Sequence, residues 1–307
     1  ASPYLPEIET GRKSVDFFRE ARAKSRDLMT WSGELYLEMH RGTYTSQANN
    51  KKWNRVSEFL LRDAEMLSCF APSFPAAYPA QKLEDAWKLV LLNQFHDIIP
   101  GSSVREVYED SDRDYAEILK AGNEVVQDAL LEIGQKFDTA DMVHPVAMFA
   151  NATIPTQGSV PWTSDEIPTT LECEGNAYPV QLVEEFGEKK LIFETPDEAL
   201  GSVAVGDFTK EVLPQRSSRL KARDRRLENS EWIVRFDGNG NISSLTSYDD
   251  RTVEFIEPGK LGNVFQIFDD RPNFWDAWDI DPWTLETEKS LLKAESFEIV
   301  ERGPVRV

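Results

Sequence analysis

The spacing of apolar residues changes near residue 140, and this change limits the fold more than any other feature of the chain. Before it, apolar side chains recur every three or four positions, which gathers them on one helical face. After it come short apolar runs cut by Gly, Pro and Asn, the pattern of strands joined by tight turns. A chain of 307 residues with such a break suits more than one domain, because single cores stop growing near about 250–300 residues.

In the first part, residues 14–29 predict a short amphipathic helix, with Ser14 as N-cap and Phe17, Phe18, Ala21 and Leu28 near one face. The stretch 31–47 reads as strand or loop, where Leu35 and Leu37 alternate with Glu34, Tyr36 and Glu38. A helix over about Asn50–Cys69 carries the stripe Trp53, Val56, Phe59, Leu60, Ala64 and Leu67. Pro72, Pro75 and Pro79 end it. A further helix over about Leu83–Phe95 turns Leu83, Trp87, Val90 and Leu91 inward and breaks at Pro100-Gly101. The last begins after Ser103 and reaches Phe137, with Ser103 and Glu106 at capping-box spacing. Three helices joined by short connections predict a bundle.

From Pro145 the runs VAMFA, TLEC, YPVQLV, KLIFE, SVAVGDF, WIVRFD, ISSLTSY, TVEFI, NVFQIF and SFEIV predict strands. The clearest hairpin is WIVRFD-GNGN-ISSL, whose Gly238-Asn239-Gly240-Asn241 tolerates positive φ. Many short strands with frequent turns predict an antiparallel β-sandwich. It reads as incomplete, because Val305-Arg306-Val307 falls inside a strand-like run. The expected fold class is therefore α+β and multidomain.

The net charge of −20 repels nucleic-acid backbones and anionic membranes, and no basic footprint offsets it. The run KARDRR at 221–226 is short, balanced by acids, and reads as a solvated strand edge. No apolar run reaches the length of a transmembrane helix. Two distant cysteines, Cys69 and Cys173, argue against a disulfide framework and point to a reducing compartment.

Three histidines are available for chemistry: His40, His96 and His144. His96 sits beside Asp97 in NQFHDIIPGSS, residues 93–103, at the end of an apolar helix. Imidazole is a good zinc ligand, and an adjacent carboxylate can orient it or accept from a substrate. Taken alone, His96 reads more simply as a dipole partner at a helix C-terminus or a packed core residue. Zinc needs about four ligands, and no second ligand pattern accompanies it. His144 before Pro145 reads as a hinge. In DRPNFWDAWDID, Asp270, Asp276, Asp279 and Asp281 alternate with Trp275 and Trp278, a mixture that sugar binding uses. The simpler reading is a solvated acidic loop anchored by buried tryptophans.

Four motifs then carry a resemblance. GELYLEMHRGTYTSQANNKKWNR at 33–55, followed by Glu58, Ala64 and Glu65, resembles the family-38 α-mannosidases, above all their cytosolic, vacuolar and bacterial branch. NQFHDIIPGSSVREVYEDS, DRPNFWDAWDID and ERGPVRV follow in the same order and extend the likeness over nearly the whole chain. The resemblance implies residues 1–47 as the tail of a β/α catalytic domain, 48–140 as a three-helix bundle, and 141–307 as a β-sandwich truncated at its C-terminus.

It further implies retaining hydrolysis of terminal α-mannosides in oligosaccharides. One metal, zinc with cobalt as the alternative, would be held by an upstream His-x-Asp pair, an aspartate nucleophile and a later histidine. Only the later histidine maps here, onto His96, with Asp97 and Tyr44 as substrate-binding positions. The nucleophile and general acid have no counterpart, so the chain by itself is expected to be inactive and to depend on an N-terminal catalytic domain. By the same resemblance the protein is cytoplasmic or vacuolar, and a homo-oligomer is compatible with the sequence. A non-catalytic glycan-binding or scaffolding module is the alternative.

Overall fold

The structure, a computed structural model, describes residues 10–26, 28–33, 37, 39–149, 157–196, 202–210, 220–248 and 253–307. Two compact units result, Ala1–Glu38 and Met39–Val307. In the first, α1 (Ser14–Lys24) is shorter than the spacing predicts, and Lys13 rather than Ser14 occupies its N-cap. Ser25 turns extended and ends the helix, and none of the helical residues is buried. Glu34, Leu35, Tyr36 and Glu38 lie outside the described residues. Leu37 has φ 70° and Met39 φ 59°, left-handed backbone that a strand does not contain.

In the second unit α2 (Ala48–Phe70), α3 (Ala80–Asn93) and α4 (Arg105–Gly134) share one core. Leu61 and Ala64 from α2 meet Leu83, Ala86 and Val90 from α3 and Tyr115, Ile118 and Val125 from α4. Full burial of a side chain such as Leu61 or Ile118 contributes about 1.5–3 kcal/mol. Paired contacts fix the directions. Asn50 bonds Ser111 near one end, and Leu67 packs with Ala129 and Ile133 near the other, so α2 and α4 run the same way. Asn93 bonds Asp114 while Lys82 bonds Glu124, so α3 runs against them.

The expected capping box is absent. The Ser103 hydroxyl donates to the Asp97 carbonyl at 2.6 Å, and the Ser103 amide donates to the Tyr108 hydroxyl at 3.0 Å. The α4 helix therefore begins one residue later, with Val104 at its N-cap, and it ends at Gly134, short of Phe137.

Strands β1 (Pro145–Phe149), β2 (Gln157–Pro161), β3 (Thr170–Cys173), β4 (Asn176–Glu185), β5 (Glu188–Glu194) and β6 (Val203–Thr209) form one antiparallel sheet, ordered β1-β6-β3-β4-β5-β2. Its fourth strand serves two neighbours in turn. Residues 176–179 pair with β3, and residues 180–185 pair with β5. Strands β5 and β6 are three spacings apart in this order, about 14 Å on a flat sheet. Yet the Phe193 and Phe208 rings meet at 5.3 Å. The sheet must curl, so that its own two halves enclose Leu171, Val180, Leu191, Phe193 and Phe208. The chain passes from one half to the other within β4, and the two halves face each other across this core.

His144 is fixed rather than hinge-like. Its amide donates to the Asp207 carboxylate at 2.6 Å, and its ring meets Trp162 edge-on at 5.0 Å.

A second antiparallel sheet is ordered β10-β9-β8-β7, from β7 (Lys221–Arg223), β8 (Arg226–Glu228), β9 (Trp232–Phe236) and β10 (Ile242–Ser247). The KARDRR run supplies its edge strand, as expected. In the predicted β9–β10 hairpin, the Asp237 carboxylate accepts from the amides of Asn239 and Asn241 at 2.8 and 3.0 Å. These bonds, led by the one from Asn241, hold its carboxyl below the usual range. Strands β11 (Phe265–Ile267) and β12 (Lys289–Leu291) pair separately.

SFEIV and the terminal residues are not strands. Instead Gln181, buried in β4, accepts from the amides of Val305 and Arg306 at 3.1 and 2.8 Å and donates to Glu301 at 3.2 Å. Gln181→Met keeps the length and removes these partners, so it is expected to cost about 1–3 kcal/mol. A lower denaturant midpoint with an unchanged slope would show this; an unchanged midpoint would mean the terminal segment is held by other contacts.

Candidate functional site

Asn93 is the last residue of α3, and Pro100 and Gly101 prevent the chain from resuming a helix. Residues 94–101 form consecutive turns instead. Ile98 and Ile99 amides donate to the Phe95 carbonyl at 2.8 and 3.0 Å, and the Gly101 amide donates to Ile98 at 3.0 Å. Two polar side chains of this segment point outward: the His96 and Asp97 side chains are 78% and 58% exposed. The imidazole is not sealed in the helical core. It tilts over Phe95 with centroids 4.2 Å apart, and its Nε2 lies 3.9 Å from Asp97 Oδ2, too far for a hydrogen bond.

Two other sequence motifs support this turn. A short 3-10 helix, Gly42–Tyr44, precedes α2. The Gly42 amide donates to the Trp278 carbonyl, and the Ser46 hydroxyl to the Ala277 carbonyl, both at 2.9 Å. Arg41 lies 3.6 Å from Asp279, and His40 meets the Trp278 ring edge-on at 5.1 Å. On its other side the same turn touches Gly101. A Cβ on that glycine would lie 2.5 Å from the Ser46 carbonyl oxygen, and its φ of +90° also favours glycine. Segments 39–47, 94–103 and 275–281, far apart in sequence, therefore converge. Tyr44 is 60% exposed on this assembly.

The tryptophans of the 270–281 loop are not the buried anchors expected. Trp275 is exposed with φ +62°, Phe274 is exposed, and Trp278 is half-buried. Asp270 accepts from Thr284 at 3.3 Å, Asp281 from the Asn273 amide at 3.1 Å, and Asp279 from the Ile280 amide at 2.9 Å. Three of the four carboxylates thus shape the loop itself.

Polar side chains beneath the turn escaped sequence reasoning. Gln94 donates to Asn54 and Glu58, each at 2.9 Å, and Asn93 donates to Asp114 at 3.0 Å. Lys51 donates to the Ile99 carbonyl at 2.6 Å and to the Ser46 carbonyl. Asn54 and Glu58, four apart and so on one face of α2, were the available signal.

An imidazole beside a carboxylate suits one corner of a zinc site. Among the described residues, however, no group of three His, Cys, Asp or Glu side chains could hold a metal ion. The described residues accordingly bring together fewer donors than the four that zinc takes. Also among the described residues, no helix is long and apolar enough to cross a membrane.

Helices followed by antiparallel sheets, with a His-Asp turn where three motifs meet, define an α+β chain. A solved α-mannosidase from Enterococcus faecalis V583 shares this fold, with TM-score 0.52 and 18% identity over 84% of this chain and 38% of that one. The family model described as the α-mannosidase middle domain matches residues 38–133, and that of the glycosyl hydrolases family 38 C-terminal domain matches residues 227–307. The chain belongs to glycosyl hydrolase family 38. It is 33% identical to human α-mannosidase 2C1 over 98% of its own length and 27% of that protein's. It is 27% identical to α-mannosidase G of Dictyostelium discoideum, over 98% of its own length and 30% of the relative's. The chain thus spans a little over a quarter of the length of these relatives.

Proposed function

We propose that this chain is part of a retaining, metal-dependent α-mannosidase that removes terminal α-linked mannose from oligosaccharides. The observation that carries the proposal is the exposed His96-Asp97 pair on a turn braced by two further family motifs. His96 is one metal ligand, Asp97 contacts the sugar, and Tyr44 borders the same face. The remaining ligands, the nucleophile and the general acid belong to a catalytic β/α domain outside this chain. Residues 1–47 are its tail, 48–140 a three-helix bundle and 141–307 sandwich-type β-structure.

His96 would help hold zinc, or cobalt in its place, which would supply Lewis acidity toward the sugar. The chain's own part is to orient: the turn aims an imidazole and a carboxylate outward without burying either group. Retention requires two carboxyl groups about 5–5.5 Å apart across the scissile bond. Asp270, Asp279 and Asp281 are engaged in their own loop, which argues against their filling those roles. A cytoplasmic or vacuolar location goes with this reading. The exposed Trp275 favours a second one, a glycan-binding module without hydrolysis.

The test is an aryl α-mannoside assay on the full-length protein and on this chain alone. Full-length protein is expected to cleave, lose activity to a chelator and regain it with zinc or cobalt, while the chain alone stays inactive. Cleavage by the chain alone, or indifference to a thorough chelator treatment, overturns the proposal.

A further inference from the structure

Lys51 occupies the fourth position of α2, in the first turn, where the helix dipole disfavours a cation. Burial lowers its pKa, a second penalty on the charged form. Among the described residues it has no carboxylate within ion-pair distance. The neighbouring Lys52 is exposed, so a solvated position was available one residue away. A half-buried ammonium placed against the dipole, with carbonyl oxygens as its partners, needs a reason other than helix stability.

The reason lies in what those carbonyls belong to. One is Ile99, two residues beyond Asp97 in the turn that displays the His-Asp pair. The other is Ser46, whose hydroxyl reaches Ala277 and whose carbonyl faces Gly101. The two carbonyls are brought together by the close approach at Gly101, and their negative ends repel one another. An ammonium between them offsets that repulsion and pins the two turns together. A compact, freely rotating donor set suits this task better than a planar guanidinium.

We infer that Lys51 is a positioning residue: its ammonium fastens the His96-Asp97 turn to the 42–46 turn and, through Ser46, to the 275–281 loop. The consequence for metal and substrate rests on the proposed mannosidase reading; the fastening itself does not.

The experiment uses the full-length protein and Lys51→Met, which keeps the stem and removes the charge. Amide hydrogen exchange is followed across residues 96–103 beside chelator-competition measurements of zinc affinity. Exchange in that segment is expected to rise about tenfold while the cores of α2 and α4 keep their protection. Zinc affinity is expected to fall about 10–100-fold, the range found when groups that orient a ligand are lost. Lys51→Arg should recover part of both effects. Unchanged exchange at 96–103 overturns the inference. Raised exchange with unchanged zinc affinity upholds the clamp and counts against His96 as a ligand. A parent protein that binds no zinc sinks the mannosidase reading, while the exchange comparison still decides the clamp. Should Lys51→Met fail to fold, Lys51→Gln, which retains a neutral donor, carries the same comparison.

Discussion

In the full-length protein, His96→Ala is expected to reduce zinc affinity by more than about 100-fold and to abolish turnover at ordinary metal concentrations. Loss of a group that merely orients a ligand already costs about 10–100-fold, and this substitution removes the ligand itself. The protein should still fold, because the His96 side chain is 78% exposed and contributes little packing beyond its contact with Phe95. Asp97→Asn separates binding from chemistry. It preserves the size and exposure of the side chain but loses the negative charge, so metal should remain while turnover falls. Metal content by elemental analysis, melting temperature and kcat/KM on an aryl α-mannoside distinguish the cases. Full metal occupancy and full turnover in His96→Ala would remove His96 from the site. An equal loss of metal in both variants would instead make Asp97 a ligand.

The parts legible in the sequence were those governed by short-range periodicity. The helices over 48–70, 80–93 and 105–134 follow apolar stripes, and their positions were anticipated to within a few residues. The β9–β10 hairpin was legible because its turn chemistry is local: Asp237 accepts from the turn amides and Gly240 takes the positive φ. What failed was competition between local and distant partners. Ser103 and Glu106 have capping-box spacing, but Ser103 already serves Asp97 and Tyr108, so the local motif is not formed. SFEIV alternates like a strand yet finds no ladder. Strand β4 changes partners midway, and no local pattern records that event.

The site was legible in the same uneven way. His96 and Asp97 could be named from a motif, whereas their supports could not. Ser46, Lys51 and Gly101 have no distinctive spacing, and their roles follow from a meeting of turns separated by about fifty residues. The tryptophans erred in the opposite direction. Large aromatic residues are usually buried, but Trp275, on left-handed backbone, is exposed.

Gly101→Ala tests that meeting of turns with the largest structural effect expected from one methyl group. Its φ of +90° costs an L-residue about 1–2 kcal/mol by itself. The added Cβ would also stand 2.5 Å from the Ser46 carbonyl oxygen, a backbone atom that no rotamer change can move. Relief requires one turn to withdraw from the other, and the bonds from Lys51 to Ile99 and Ser46 resist this. A total loss of roughly 3 kcal/mol is expected, at the upper end of ordinary single substitutions.

Gly175→Ala supplies the control. That glycine has φ +74° with nothing within 4 Å of its absent Cβ, so it carries the backbone cost without the collision. The difference between the two variants in denaturant midpoint isolates the contact between the turns. If both lose the same stability, Gly101 is needed only for its backbone conformation, and the 42–46 turn does not press on the His96 segment. If Gly101→Ala loses more and also weakens metal binding, the close approach at Gly101 helps set where His96 points.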